Sequence, residues 1–207
     1  MRTVPYQVYR AIFAPDGTRI LTSCWDSTTR VWDTETGKEL QKLRYEREIK
    51  DTIFSHDGKK VVTIGEDRIA RIWDVESGKN LQKLEGCKIK FTVFSPDEKK
   101  ILTGCDDRTI RIWDTESGKE LQKLEGHTNV VMDAVWHPDG TKILSGSHGY
   151  GGVAWIWDIE TGKVLHELAG HRSWIECVAF SPDGKQALTG GGDNTARIWD
   201  WEQLLPP

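Results

Sequence analysis

Three side chains near the C-terminal end, His171, Thr189 and Asp193, supply an imidazole, a hydroxyl and a carboxylate. These are the groups of a Ser-His-Asp hydrolase, where the carboxylate orients the imidazole and the imidazole takes the hydroxyl proton. A catalytic set is normally single, but these residue types return along the chain. A hydroxyl recurs at Thr22, Thr63, Thr103, Ser145 and Thr189. A carboxylate stands six residues before a tryptophan at Asp26, Asp67, Asp107 and Asp193, with Gly151 in its place once. The imidazole is present only as His127 and His171; Cys87 takes the position once, and the segment YERE (45–48) has no histidine. Repetition of this kind points to structure rather than to catalysis.

Other chemistry-bearing stretches are weaker. The glycines of SGSHGYGG (145–152) suggest a phosphate cradle, but no GK[ST] follows and the next element reads as a strand. The stretch reads instead as an inserted, exposed loop with His148 and Tyr150 available for contacts. His148 has no second ligand at a metal-binding spacing, so no metal is expected. Cys24, Cys87, Cys105 and Cys177 form no CxxC pair and no disulfide framework. Each reads as a small buried side chain in a reducing cytoplasm. The mixed charges of RYEREIKD (44–51) read as a solvated loop.

The elements that carry these residues are marked by punctuation. Trp-Asp occurs at Trp32-Asp33, Trp73-Asp74, Trp113-Asp114, Trp157-Asp158 and Trp199-Asp200, with spacings of 41, 40, 44 and 42 residues. A further Trp25-Asp26 falls at a different place in the unit. Between them ETGKELQKL, ESGKNLQKLEG, ESGKELQKLEG and ETGKVLHEL repeat a turn followed by a strand. A second turn reads APDG, SHDG, SPDE, HPDG and SPDG, in which Pro presets φ and Gly accepts positive φ. In the fifth unit the strands are read as 173–180, 185–190 and 195–200. No segment sustains a helical period, so the fold class is all-β.

Five units of 40–45 residues with WD and GH punctuation resemble the WD40 family over essentially the whole chain. The resemblance implies a WD40-type β-propeller of four-stranded blades. It would form one domain over 1–207, with repeats at 1–43, 44–84, 85–124, 125–168 and 169–207. Five blade-sized repeats leave a closed five-bladed ring and an open arc both open. The last blade's outer strand is expected to be missing or reduced to about 202–205. The family also assigns His171, Thr189, Asp193 and Trp199 to one hydrogen-bonded structural tetrad. The first three repeats lack its histidine, so weaker interblade order is expected there.

A net charge of −4 and a pI near 5.9 do not favour nucleic acid or anionic membrane as partner. No apolar run approaches the roughly 20 residues of a membrane span, and the N-terminus does not read as a secretory signal. The resemblance implies a non-catalytic scaffold, cytoplasmic and without cofactor, whose top-face loops bind a protein or peptide. The implied contact residues are Trp25, Arg47, Glu66, Lys88, Asp106, Asn129, His148, Tyr150, Arg172 and Trp174. One alternative is a propeller-type hydrolase using the central channel. Another is an incomplete propeller that self-assembles into a homo-oligomer through its terminal blades.

Overall fold

The computed structural model describes residues 7–149 and 151–204; Tyr150 and Leu205, both named above, lie outside the described residues. The chain falls into two compact units, residues 1–92 with 114–119 and residues 93–113 with 120–207. The strands β1 (Val8–Phe13), β2 (Arg19–Cys24), β3 (Thr28–Asp33) and β4 (Glu39–Arg44) form the first antiparallel sheet. The second holds β5 (Ile49–Phe54), β6 (Lys60–Gly65), β7 (Ala70–Asp74) and β8 (Asn80–Leu84). The third holds β9 (Ile89–Phe94), β10 (Lys100–Cys105), β11 (Ile110–Asp114) and β12 (Glu120–Leu124). The fourth holds β13 (Val131–Trp136), β14 (Lys142–Ser147), β15 (Val153–Asp158) and β16 (Val164–Ala169). The fifth has three strands among the described residues, β17 (Ile175–Phe180), β18 (Ala187–Gly191) and β19 (Thr195–Trp199). Each sheet is a meander in chain order, the blade type expected from the repeats. Where an outer strand would follow β19, the chain makes a single 3-10 turn, Trp201–Leu204.

The punctuation residues make the turns. The Asp of Trp-Asp accepts from the residue three ahead: Asp74 Oδ1 takes the Ser77 amide at 2.8 Å and the Ser77 hydroxyl at 2.6 Å. Asp33, Asp114 and Asp158 do the same with Thr36, Ser117 and Thr161. These bonds hold their carboxyls below the usual carboxylate range. In the other turn, Asp16, Asp57, Asp97, Asp139 and Asp183 each accept an amide two residues on. Gly184 shows why glycine serves there: φ is +76°, and a Cβ would stand 2.1 Å from His137 Nε2.

Sheet packing explains why these strands are apolar on both faces. In the first unit, Leu21, Val31 and Leu43 of the first sheet pack against Ile49, Val61 and Trp73 of the second. In the second unit, Leu144, Ala154, Ile156 and Leu168 pack against Ile175, Val178 and Ala187. Each such Leu or Ile is worth about 1.5–3 kcal/mol on burial. The glutamine of LQKL adds a polar tie. Gln41 Nε2 donates to the Glu76 carbonyl and Gln82 Nε2 to the Glu116 carbonyl, both at 2.6 Å.

Candidate functional site

The fifth sheet carries the residues that resemble a catalytic triad. His171 Nδ1 lies 3.0 Å from Asp193 Oδ1, and its Nε2 lies 2.8 Å from the Thr189 hydroxyl. Trp199 Nε1 donates to that hydroxyl at 2.9 Å. With Nδ1–H donating to the carboxylate, Nε2 accepts the Thr189 proton and the Thr189 oxygen accepts the indole N–H. Every polar group then has a partner. Asp193 also accepts from the Thr195 hydroxyl and the Arg172 amide, and these bonds with His171 hold it well below the usual carboxylate range. Gly191 makes room for the ring, since a Cβ there would stand 2.4 Å from His171 Nδ1. Thr189 is fully buried and His171 nearly so. A hydroxyl sealed between an indole and an imidazole offers no path to a substrate.

The remaining sheets keep the indole–hydroxyl bond and vary the rest. Trp32–Thr22, Trp73–Thr63, Trp113–Thr103 and Trp157–Ser145 are joined at 2.7–2.9 Å. In the fourth, His127 Nε2 reaches Ser145 Oγ at 2.7 Å, and Trp155 stacks on the imidazole with centroids 4.3 Å apart. Burial pushes the His127 imidazole down to about 4. The first three sheets lack a histidine at this position but not a partner for the carboxylate. Arg30, Arg71 and Arg111 bind Asp26, Asp67 and Asp107 at 2.5, 3.0 and 2.8 Å. In the second sheet Tyr45 adds its hydroxyl, 2.8 Å from both Asp67 Oδ1 and the Ile69 carbonyl, with the Arg71 guanidinium 4.0 Å over its ring.

These partners correct the reading of RYEREIKD as a solvated loop. Arg44 ends β4, Tyr45 is buried, Ile49 begins β5, and Asp51 pairs with Arg10 at 3.1 Å. The signal that was missed is the arginine two residues before the tryptophan, present as RVW and RIW. The tyrosine had no repeated signal. Ion pairs within one hairpin occupy the carboxylates that histidine leaves free in the first three repeats.

The chain matches the family described as WD domain, G-beta repeat at residues 3–33, 37–74, 78–114, 118–158 and 162–200. These segments cover most of its length. The chain belongs to the WD40 family. No curated protein matches it. The WD40 matches are offset from the sheets: the match at 37–74 takes in β4 with β5 to β7, so each sequence repeat from the second onward lends a strand to the preceding sheet. WD40 repeats generally mediate protein–protein interaction, and the family is typically non-catalytic.

Nine of the ten expected contact residues are among the described residues, and they fall on two sets of loops in the WD40 sheets; Tyr150 is outside them. Arg47, Lys88, Asn129, Arg172 and Trp174 precede first strands; Trp25, Glu66, Asp106 and His148 follow second strands. Within a sheet the two sets are tied through the backbone. The Trp25 amide donates to the Gln7 carbonyl, Glu66 to Glu48, and His148 to Val130, at 2.7–3.1 Å. Trp25 is 60% exposed, and Arg47, Glu66, Lys88, Asp106, Asn129, His148 and Arg172 are also exposed. In the second unit the structure gathers several of them. His148 stacks on Trp174 with centroids 4.9 Å apart and planes 14° apart, and the indole N–H donates to Glu176. Beside them a cleft is lined by Thr128, Asn129, Ser147, His148, Val153 and Trp155.

Three other expectations need correction. The supposed inserted loop begins later, because Ser145 to Ser147 belong to β14 and Gly146 and Gly152 are buried. Cys87 and Cys105 are disulfide-bonded rather than reduced. Cys24 is a free, buried thiol, as read, but Cys177 is free and exposed. Among the described residues no helix is long and apolar enough to cross a membrane, and no three His, Cys, Asp or Glu gather as a metal-holding group.

Proposed function

We propose that this WD40 chain is a non-catalytic docking platform for a protein or peptide, and that its principal contact surface in the second unit is built on His148 and Trp174. The observation that carries this reading is the His148–Trp174 stack, held beside a polar cleft by two backbone-tied loops. A stacked aromatic pair on a rigid loop presents large contact area at small entropic cost, and Trp and Arg are over-represented among residues that dominate binding energy. Asn129 and Arg172 supply hydrogen-bonding groups at the same loops, suited to peptide carbonyls and carboxylates. Trp25 and Arg47 offer a separate anchor and charge in the first unit.

The acidic balance of the chain supports a protein partner over nucleic acid. The cytoplasmic expectation leaned on reduced cysteines. With Cys87 and Cys105 disulfide-bonded it loses that support, and the proposal names no compartment. The test is selection of a random peptide library on the immobilised chain. Enriched peptides are expected to lose about ten-fold or more in affinity on Trp174→Ala, and to be unaffected by Lys163→Ala, an exposed residue of the turn before β16. Binding indifferent to both Trp174 and Trp25 would sink the reading.

A further inference from the structure

The repeats carry one packing interface several times, and the two terminal sheets each show half of it uncovered. In the first sheet the cross-strand pair Leu21 and Val31 is sealed by Ile49, Val61 and Trp73 of the next sheet. In the fourth sheet the pair Leu144 and Ile156 is sealed in the same way by Ile175, Val178 and Ala187. The fifth sheet repeats that pair in the same register as Leu188 and Ile198. There the two residues are 42% and 68% exposed, although their counterparts are fully buried. Phe180, Leu188 and Ile198 line a shallow, open cleft.

The complementary half stands on the first sheet. Val8, Phe13 and Ile20 occupy the register positions of Ile49, Phe54 and Val61, since Val8 pairs with Cys24 as Ile49 pairs with Gly65. Phe13 pairs with Ile20 as Phe54 pairs with Val61. Phe54 and Val61 meet the preceding sheet, whereas Phe13 is 68% exposed and Val8 is exposed. Trp32 takes the place of the buried Trp73 and is only partly covered.

We infer that these two faces bind each other between copies of this chain, the first sheet of one copy seating on the fifth sheet of another. The occupant is a second copy because what covers Leu21/Val31 and Leu144/Ile156 inside the chain is a sheet with the side-chain placement of the first sheet. The contact continues an interface the molecule already uses. It is heterologous: the two faces differ, so each added copy presents a new free face until the assembly closes on itself. Exposed apolar faces of this kind are unfavourable to leave in water. This inference is independent of the loop surface proposed above, which lies on loops rather than on sheet faces.

Light scattering after size exclusion, over a wide concentration range, reads the result on the whole chain. The wild type is expected to form dimers or larger species with rising concentration. Phe13→Asp and Ile198→Asp each place a charge on a side chain already exposed in the protomer, so folding, checked by circular dichroism, is preserved. Each variant alone is expected to be monomeric. Mixed in equal amounts they keep one intact pair of faces, and the expected product is a heterodimer that grows no further. A wild type that stays monomeric throughout overturns the inference. So does a Phe13→Asp or Ile198→Asp variant that still self-associates, which would reveal a symmetric contact or one elsewhere.

Discussion

At the scale of single residues, the molecule solves one problem several ways. Each sheet places a carboxylate or its substitute beside an indole-capped hydroxyl, and the neighbours decide what completes the set. His171 completes it in the fifth sheet, and Arg30, Arg71 and Arg111 bind the carboxylate in the first three. Where the carboxylate is absent, at Gly151, the paired position carries Trp155, which stacks on His127. Tyr45 is the least regular member, since the other connections between sheets carry no tyrosine among the described residues. Its hydroxyl bonds both Asp67 and the Ile69 carbonyl, so Tyr45→Phe is expected to cost about 1–2 kcal/mol in urea denaturation. A change within error would show that the ring over Arg71, rather than the hydroxyl, holds the site.

At the scale of elements, the repeated turns do most to set the hairpins. The carboxylate of Trp-Asp caps its turn in four sheets through short local bonds, and these form without help from tertiary packing. Asp74→Ala removes the acceptor for the Ser77 amide and hydroxyl. The expected loss is about 1 kcal/mol, with faster hydrogen exchange confined to the β7–β8 hairpin. Loss of protection spread evenly over the second sheet would contradict a local role. The tryptophans show a second regularity. The ladder between third and fourth strands slips at Trp32, Trp73, Trp113 and Trp157, a bulge that accompanies each indole as it turns to its hydroxyl.

At the scale of the whole molecule, folding stability is linked to pH through a histidine held neutral. His127 is buried against Trp155 and Ser145, and its value falls from the ordinary 6.5 to about 4. Below the ordinary value the unfolded chain takes up a proton that the folded chain refuses. Stability from this group is therefore full above about pH 6.5 and is lost as pH falls toward about 4. The linkage amounts to up to about 3 kcal/mol over the whole window, and about 2 kcal/mol by about pH 5. Urea denaturation of wild type and His127→Gln at neutral and mildly acid pH checks it. The variant should lose that part of the pH dependence, and equal slopes would refute the assignment.

The amino-acid sequence by itself determined the kind of sheet, the number of repeats, and the turns. Those features depend on spacing along the chain: Asp and Gly in a turn act within a few residues, and alternation sets a strand's faces. The tertiary structure decided which group meets each carboxylate, where Tyr45 goes, and that Cys87 and Cys105 are oxidised. It also decided that Leu188 and Ile198 are exposed while identical register positions elsewhere are sealed. None of these follows from spacing, because each depends on which surface comes to lie against a strand. The triad-like set His171, Thr189 and Asp193 shows the difference. Its residue types suggested chemistry, repetition suggested structure, and only the buried hydroxyl between indole and imidazole shows why no substrate reaches it.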